Sequence, residues 1–469
     1  MTPGQNGSRV PGDRVLRSRG VGAQDKRRHT SRVPSGRVER LARLGVMAGE
    51  FALGGIAEGA RRVLASDASE GSVFLSGAYA EKLADRLAHM RGAAMKLGQL
   101  LSLEGEDFLP PEFADALAIL RDSADSMPAT QVRRVLGREY GKGWQQRFRE
   151  FDFEPIASAS IGQVHRAVAL DGRELALKIQ YPGVARSIDS DIDNLASLLR
   201  LSQILPVELD IRGLVAEAKR QLREEADYLA EARNMRRFAK LLADDDALLV
   251  PAVHEDLSTR RVLAMDRSRA LPIEELRSPD CKQDLRDAIG ARLVDLMHRE
   301  LFEFRFVQTD PNFANYLFEP DSGRLVLLDF GSVIEFPKDF VVRYARICRA
   351  MRQGDVQEAQ RMAVEIGYLS GQEPPERAQA LAELVVLVGE PLRSQGPYDF
   401  GASDLAARAR SSGMDLAFRQ GFLRAPPPET IFLHRKLGGT FLLCSRIRAR
   451  VDAGGLVEPH LARILGEDA

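Results

Sequence analysis

The spacing of apolar residues divides the chain into an early helical part, a middle part with short strands and a late helical part. Before residue 141, apolar positions recur at helical spacing and predict helices over residues 41–64, 79–103, 112–121 and 129–140. From residue 153 the pattern changes to strand-like runs over 162–170 and 174–180, which Asp171 and Gly172 join as a hairpin turn.

The rest of the chain returns to helical patterns around a few short strands. Helices are predicted over 189–200, over the long charged stretch 214–242 and over 284–304. Short apolar runs predict strands over 262–265, 316–318 and 325–328, the last two flanking a turn at 320–323. From residue 340 to 465 the pattern is helical, with proline breaks at 374–375 and 426–428. This order predicts an α+β fold: an N-terminal helical extension, a small mixed lobe with an antiparallel sheet and a large helical lobe.

Charge is distributed unevenly along the 469 residues, a length that suits a two-lobed unit. The net charge of −1 gives no argument for nucleic-acid binding by the whole chain. Residues 1–40, however, hold ten lysines and arginines against three acidic residues and few apolar ones, which predicts a disordered basic arm. The arm is either a solvated tail, an arm that touches anionic lipid or RNA, or a transit peptide.

The cysteines and the apolar segments set further bounds. Cys281, Cys348 and Cys444 lie far apart and form no metal or disulfide pattern, which fits a reducing compartment. No apolar run is long enough to predict a membrane-spanning helix, and no secretory signal is visible. Within 41–64, glycines four residues apart indicate a closely packed helix or dimer contact, with a membrane-surface segment as the alternative.

The most informative chemistry lies between residues 310 and 331. Asp310 and Asn315 are five residues apart, and Asp329 opens an Asp-Phe-Gly triplet. Phosphoryl transfer needs a carboxylate that orients or deprotonates the nucleophile, and Asp310 suits that role. It also needs hard oxygen ligands for Mg²⁺, which Asn315 and Asp329 can supply from neighbouring strand ends. The triplet alone could be an ordinary turn, but the combined pattern indicates a protein-kinase-type site, and the order of the two lobes is that of a protein kinase.

Lys178 lies in the run LALKI at 175–179, which has the form of the strand lysine that contacts nucleotide phosphates in kinases. A kinase also needs a helix glutamate to hold that lysine. Glu225, Asp227 and Glu231 are candidates, and the last two are four residues apart, on one helix face. The alternatives are a structural strand lysine and a solvated acidic helix face.

A small-residue segment occupies the place of the glycine-rich phosphate loop of kinases. It consists of Ala157, Ser158, Ala159, Ser160, Ile161, Gly162, Gln163 and Val164. Glycine would let the backbone adopt positive φ and approach phosphate closely, whereas alanine methyl groups restrict both. We therefore expect nucleotide geometry or preference to differ from that of ordinary kinases.

With these stretches in place, the chain resembles the UbiB/ADCK family of aarF-domain-containing atypical kinases. The matching stretches are KLGQ at 96–99, the alanine-rich loop, KIQYPGV at 178–184, EADY at 225–228, QTDPN at 308–312, DFG at 329–331, PPET at 427–430 and HRKLGG at 434–439. The Gln308-Thr309-Asp310 form, without C-terminal membrane helices, is similar to the coenzyme-Q-associated branch.

The resemblance implies a role for each matching residue. Lys178 would bind phosphates and pair with Glu231, Asp310 would be the catalytic-loop aspartate, and Asn315 and Asp329 would hold Mg²⁺. A regulatory helix over the active site would carry the KxGQ motif residues Lys96, Gly98 and Gln99. There Lys96 would face Glu225 and Asp227 as a latch that also acts in catalysis and blocks protein substrates. Met265 would contact the adenine.

These implications give a domain plan and a set of functions. The plan is a basic arm (1–40), a helical extension carrying KxGQ (41–150), a kinase-like N-lobe (151–268) and a helical C-lobe (269–469).

The expected function is an ATPase that binds ATP and Mg²⁺ and supports ubiquinone or isoprenoid-lipid biosynthesis. The alternatives are a phosphotransferase acting on a small molecule or protein, and a nucleotide-sensing scaffold. Expected partners besides the nucleotide are anionic lipid or quinone precursors and a second copy of the chain. Expected locations are the cytoplasm, peripheral to the inner membrane, or the mitochondrion in a eukaryote.

Overall fold

The computed structural model describes residues 92–94, 127–201, 212–419 and 426–466. The basic arm, the helix predicted over 112–121, the Gly-rich helix 41–64 and the residues Lys96, Gly98 and Gln99 lie outside these ranges. Of the helix predicted over 79–103, residues 92–94 are described, and they are helical.

The described strands are mostly short, and ten of the twelve lie before residue 336. In chain order they are β1 (Phe148–Ser158), β2 (Gly162–Ala169), β3 (Glu174–Gln180), β4 (Leu248–Leu249), β5 (Val262–Asp266), β6 (Leu271–Pro272), β7 (Phe306–Gln308), β8 (Tyr316–Phe318), β9 (Leu325–Leu327), β10 (Val333–Glu335), β11 (Tyr398–Asp399) and β12 (Arg450–Val451).

The helices account for most of the second half of the chain. The described α-helices are α1 (Ala129–Glu139), α2 (Val184–Leu201), α3 (Arg212–Glu225), α4 (Tyr228–Leu241), α5 (Gln283–Arg299), α6 (Lys338–Gln353), α7 (Val356–Ile366), α8 (Pro375–Val388), α9 (Glu390–Arg393), α10 (Leu405–Met414), α11 (Pro428–Arg446) and α12 (Ala453–Leu465). Within these ranges, none is both long and apolar enough to cross a membrane.

The N-terminal sheet has the strand order β1-β2-β3-β5, and all its neighbours are antiparallel. Side chains alternate between its two faces, as the pleat requires. Leu175, Leu177 and Ile179 of β3 pack in the cluster that contains Val132 of α1. The intervening residues, Lys178 among them, therefore lie on the opposite face, where α4 packs.

Two predictions for this part of the chain need correction. The helix predicted over 214–242 is wrong: the chain forms α3 and α4, separated at Ala226-Asp227. The Asp227 side chain accepts hydrogen bonds from the backbone N–H groups of Leu229 and Ala230, so it starts a new helix. Strand β1 was not predicted. It runs from Phe148 to Ser158 and pairs with β2.

A second, four-stranded sheet, ordered β4-β9-β8-β6, carries the loop residues of interest. Strands β8 and β9 form the predicted hairpin, with Tyr316 opposite Leu327. Strand β7 precedes that hairpin in the chain and β10 follows it, and these two strands pair with each other. Residues 310–315 lie between β7 and β8, and residues 328–331 lie between β9 and β10. Because β7 pairs with β10 and β8 pairs with β9, the two segments lie side by side.

The helical part after residue 337 packs around a core that includes Phe336, Tyr344 and Leu433. The prediction of helices from 340 onwards is correct except that Tyr398–Asp399 pairs with Arg450–Val451 as two short strands. A small antiparallel sheet followed by a large helical lobe confirms the predicted two-lobed α+β architecture.

Candidate active site

Lys178 on β3 lies between two carboxylates from distant parts of the chain. Its Nζ is 2.7 Å from Oε1 of Glu231 on α4 and 2.9 Å from Oδ2 of Asp329. Lys178 and Glu231 are both buried. Buried charges are tolerated only when they are paired, so this arrangement fixes β3, α4 and the segment after β9 relative to one another.

The break between α3 and α4 places Glu231 in this arrangement. Asp227 caps α4, so Glu231 falls in its first turn and Tyr228 is fully buried beside the Lys178 ammonium, which lies 5.3 Å from the ring centroid. The Gln180 side chain donates to the Ala226 carbonyl over 2.7 Å and joins the sheet to the break. A continuous helix would not provide this carbonyl or this cap.

The buried environment shifts the pKa values of the pair. Burial raises the pKa of Glu231 to about 7, although the Lys178 ammonium opposes that rise. Burial also disfavours the charged form of Lys178, but the carboxylates of Asp329 and Glu231 outweigh it and hold the pKa of Lys178 well above its ordinary value. The lysine therefore stays protonated.

Asp329, Phe330 and Gly331 form a fixed turn after β9. The Gly331 N–H donates to Oδ1 of Asp329 over 2.9 Å. Phe330 is buried against Phe238 of α4, with ring centroids 4.6 Å apart, and Asn234 donates to the Phe330 carbonyl over 2.9 Å. These contacts dock the triplet on α4, the helix that carries Glu231.

The loop from 310 to 315 lies against the same turn. Asn315 Nδ2 and Gln308 Nε2 each donate to the Asp310 carbonyl over 2.8 Å, and the Leu328 N–H donates to the Asn315 carbonyl over 3.0 Å. The last bond continues the β8–β9 pairing by one residue, so Asn315 lies beside the start of the Asp329 triplet. The structure therefore gathers Lys178, Asp310, Asn315 and Asp329 in one region.

The oxygen donors of Asn315 and Asp329 fit a magnesium ion. Because Nδ2 of Asn315 is engaged, its amide oxygen is the atom that can ligate a cation. Within the described ranges, no group of three or more His, Cys, Asp or Glu side chains could hold a metal. Two hard oxygen donors without a protein cage suit Mg²⁺, which commonly completes its coordination with substrate phosphates and water.

The motifs indicated no role for Arg435 and Lys436 of α11, yet both are buried beside the loop. Arg435 is buried, donates through Nη2 to the Asp310 carboxylate and through Nη1 to Gln221 of α3 over 2.9 Å. Lys436 is also buried and lies 2.8 Å from Glu300. The signal that could have indicated them is the motif HRKLGG at 434–439, which holds two cations on a helix with an apolar core face.

Gly439, one turn after Arg435, lies directly against the loop. A Cβ atom at Gly439 would lie 2.0 Å from Cγ of Pro311, a distance that real Cβ atoms do not show. At the adjacent Gly438 no atom lies within 4 Å of such a Cβ. Glycine at 439 thus permits α11 to pack on the residue that follows Asp310.

The small-residue segment forms the end of β1, a turn and the start of β2. The Ala159 N–H donates to the Gly162 carbonyl over 2.9 Å, and Ser160 donates to Glu225 over 2.7 Å. Gly162 is required by space, since a Cβ there would lie 2.3 Å from the Ile179 carbonyl oxygen. Gln163 is buried, and its amide bonds to the Met127 N–H and to His165, each at 2.7 Å.

Of the remaining predicted site residues, three lie in the described part of the chain and three lie outside it. Met265 is buried on β5, opposite Ala176 of β3, next to the segment that joins the two lobes. Glu225 lies near Gly331, with its Cγ 3.6 Å from where a Gly331 Cβ would be. Asp227 is the cap of α4. The residues predicted to face them, Lys96, Gly98 and Gln99, lie outside the described part of the chain.

Comparison with known proteins agrees with this geometry. The profile of the ABC1 atypical kinase-like domain matches residues 119–363. The chain is 40% identical to atypical kinase COQ8B, mitochondrial, of Rattus norvegicus, over 91% of this chain and 81% of that protein. It is 36% identical to atypical kinase COQ8, mitochondrial, of Saccharomyces cerevisiae, over 92% of this chain and 86% of that protein.

A solved structure gives the same result for the fold. Rv3197 of Mycobacterium tuberculosis, in complex with erythromycin, has a TM-score of 0.57 and 28% identity, covering 81% of this chain and 95% of its own. The fold and the matches define an atypical kinase-like enzyme of the phosphotransferase and ATPase class. The chain belongs to the ABC1 family, also known as UbiB/ADCK, and to its coenzyme-Q-associated branch, which confirms the resemblance inferred from the motifs.

Proposed function

We propose that the protein binds Mg-ATP and hydrolyses it in support of ubiquinone or another isoprenoid-lipid pathway. One observation carries the nucleotide part of the proposal: a buried lysine held between Glu231 and Asp329, beside a loop in which Asn315 is bonded to the Asp310 backbone. The pathway part is supported by the similarity to COQ8 kinases alone.

The roles of the residues follow from their chemistry. Lys178 binds the phosphate chain as a point charge, and Glu231 keeps it oriented. Asp310 accepts a hydrogen bond from the attacking group, and Arg435 fixes the carboxylate in place. Residues 157–164 cover the phosphates, and Met265 lines the adenine site.

Asn315 and Asp329 would hold the magnesium ion, which, when bound, neutralises charge on the phosphates. Nucleotide binding must then draw Lys178 partly away from Asp329, because both cations compete for the same carboxylate. We also assign Lys96, Gly98 and Gln99 to a latch opposite Glu225 and Asp227, in an extension that precedes an N-lobe and a C-lobe divided near residue 268.

Phosphate release from ATP tests the central proposal. The purified full chain is assayed with and without Mg²⁺, with vesicles of anionic lipid and with phenols that resemble quinone precursors, and radiolabelled ATP reports any labelled acceptor. Mg²⁺-dependent release without a labelled acceptor supports an ATPase. Label on a protein or small molecule supports a phosphotransferase instead, and nucleotide binding without turnover supports a nucleotide-sensing scaffold.

Location and assembly are separate parts of the proposal. The names of the relatives suggest a mitochondrial protein in a eukaryote, and we place a bacterial form in the cytoplasm at the inner membrane. We propose that residues 1–64 contact anionic lipid or a second copy of the chain. Vesicle flotation and light scattering, with and without these residues, test both, and identical behaviour of the two forms would contradict the proposal.

A further inference from the structure

A polar cavity of about 830 Å³ lies where the segment after β6 meets the C-terminal end of α11. Its charged lining residues are Glu274, Glu275, Arg277, Arg446 and Arg448, and two serines, Ser278 and Ser445, complete it. The volume falls in the range of small-molecule sites, roughly 300–1,000 Å³. Nothing in the proposed nucleotide site uses these residues.

The charge of the lining favours an anion. Arginines outnumber glutamates by three to two. In the part of the chain that the structure describes, neither Arg277, Arg446 nor Arg448 forms an ion pair with a carboxylate, although arginine–glutamate and arginine–aspartate pairs are frequent elsewhere. All three arginines are exposed, so their guanidinium groups are accessible to a carboxylate or phosphate through charge-assisted hydrogen bonds.

The backbone at Arg448 is held in place at the end of α11. Arg448 has φ of 55°, in the left-handed region that non-glycine residues rarely adopt. Gly401 packs against it so closely that a Cβ would lie 2.9 Å from the Arg448 Cα, and Gln283 donates to the Arg448 carbonyl over 2.8 Å. Arg448 follows the last turn of α11, and the Ala449 N–H donates to the Cys444 carbonyl over 2.9 Å, so this positive φ belongs to the C-terminal cap of the helix.

The cavity also adjoins the loop of Asp310. The guanidinium of Arg446 lies over the Phe313 ring, 5.2 Å from its centroid. Helix α11 thus contacts the loop three times from one face, through Arg435 at Asp310, Gly439 at Pro311 and Arg446 at Phe313. Arg435 and Arg446 are separated by three helical turns, about 16 Å, so Arg446 links the lining of the cavity to the end of the loop farther from Asp310.

We propose that this cavity binds a small carboxylate or phosphate that also bears hydroxyl groups. Arg277, Arg446 and Arg448 bind the acid group, while Glu274 and Glu275 accept hydrogen bonds from the hydroxyls. The glutamates discriminate against simple polyanions, because their charges oppose a second acid group that lacks an arginine partner. A carboxylate and a phosphate would bind the same arginines, so the titration must decide which of the two groups the cavity binds.

Calorimetric titration of the full chain tests this site with three probes at constant ionic strength: glycerate, glycerol phosphate and inorganic phosphate. We expect saturable binding of glycerate or glycerol phosphate that weakens at least tenfold in the double variant Arg446→Gln/Arg448→Gln, since hydrogen bonds to charged groups are the strong ones. The better probe identifies the acid group. The control Arg134→Gln removes an exposed arginine of α1, far from the lining in sequence, and should bind as the parent chain does.

A second variant separates this site from the nucleotide site. Asp329→Asn should leave probe binding unchanged, so the site is tested independently of the proposed ATPase. If the double variant does not fold, as judged by circular dichroism, Arg277→Gln on the other wall takes its place. Absence of saturable binding by all three probes, equal binding by the arginine variants, or loss of binding in Asp329→Asn would each overturn the proposal.

Discussion

Lys178 on β3 donates a hydrogen bond to Glu231 on α4 over 2.7 Å, and the two residues are 53 positions apart in the chain. Both side chains are almost completely buried, with 10% and 1% exposure. The same motif of a buried ion pair recurs in the helical lobe, where Lys436 lies 2.8 Å from Glu300. In each pair the lysine stays charged, and the glutamate is the group whose protonation responds to pH near neutrality.

The raised pKa values of Glu231 and Glu300 predict how the free energy of unfolding depends on pH. Burial raises the pKa of both Glu231 and Glu300 from 4.5 to about 7, so between these values the folded state binds more protons than the unfolded state. The free energy of unfolding should therefore fall as pH rises from about 4.5 to 7. Each glutamate contributes roughly 3 kcal/mol to that fall.

Urea unfolding across this pH window measures the effect. Glu300→Gln removes one of the two titrating groups and should make the decline shallower, whereas Glu376→Gln, an exposed residue of α8, should not alter it. A decline that is equally steep in Glu300→Gln would show that Glu300 does not titrate in this range.

Asp329→Asn should abolish Mg²⁺-dependent nucleotide binding. The substitution replaces the carboxylate of one of the two proposed ligands by a neutral amide, which binds Mg²⁺ more weakly, and it also weakens the contact with Lys178 at 2.9 Å. Thermal-shift titration with ATP, with and without Mg²⁺, gives the measurement. Asp321→Asn, in the exposed turn between β8 and β9, is the matched control and should retain the full shift. An undiminished Mg²⁺-dependent shift in Asp329→Asn would remove Asp329 from the metal site.

Ala159→Gly should change nucleotide affinity or selectivity. Ala159 closes the turn between β1 and β2 through its N–H bond to Gly162, and glycine would give this turn more backbone freedom and remove a methyl group. ATP and ADP affinities measured by calorimetry should change by several-fold, on the order of 1 kcal/mol. Ala243→Gly, in an exposed turn after α4, controls for the added flexibility. Equal affinities in Ala159→Gly and the parent chain would mean that this methyl group does not limit the phosphate loop.

Arg435→Lys should lower kcat more than it alters KM for ATP. Lysine keeps the charge but cannot bond Asp310 and Gln221 at once, so the Asp310 carboxylate loses its fixed orientation. Loss of one charge-assisted hydrogen bond corresponds to about 1.5–3 kcal/mol, or roughly a 10- to 100-fold effect. Steady-state ATP hydrolysis separates the two constants. A change confined to KM would place Arg435 in substrate binding rather than in positioning Asp310.

Local patterns predicted most of the elements that build the site, and non-local contacts explain the rest. Strands β2, β3, β8 and β9 follow from apolar runs around turn residues, and their pairing brings Asn315 next to the Asp329 triplet. Strand β1 was not predicted because the alternation of apolar and polar residues along it is interrupted. Charged residues separate its phenylalanines, and its pairing with β2 shifts register around Pro155.

The contacts of α3, α4 and α11 could not be predicted in the same way. The charged stretch 214–242 has helical spacing throughout, and only the competition of the Asp227 side chain for backbone N–H groups divides it. Arg435 reaches Asp310 across 125 residues, a relationship that no periodicity encodes. The domain boundaries and the roles of the site residues stay predictions.

Gly439 and Gly438 offer the sharpest test of how α11 supports the loop. Gly439→Ala places a methyl group 2.0 Å from Cγ of Pro311, so either α11 or the loop must move. We expect a loss of roughly 1–3 kcal/mol of stability, typical of overpacking, together with reduced ATP hydrolysis. Gly438→Ala meets no atom within 4 Å and should instead stabilise the helix by about 0.5–1 kcal/mol, with unchanged activity. Thermal unfolding and ATP hydrolysis of the two variants give the comparison, and equal behaviour of both would show that the contact between α11 and Pro311 does not constrain the loop.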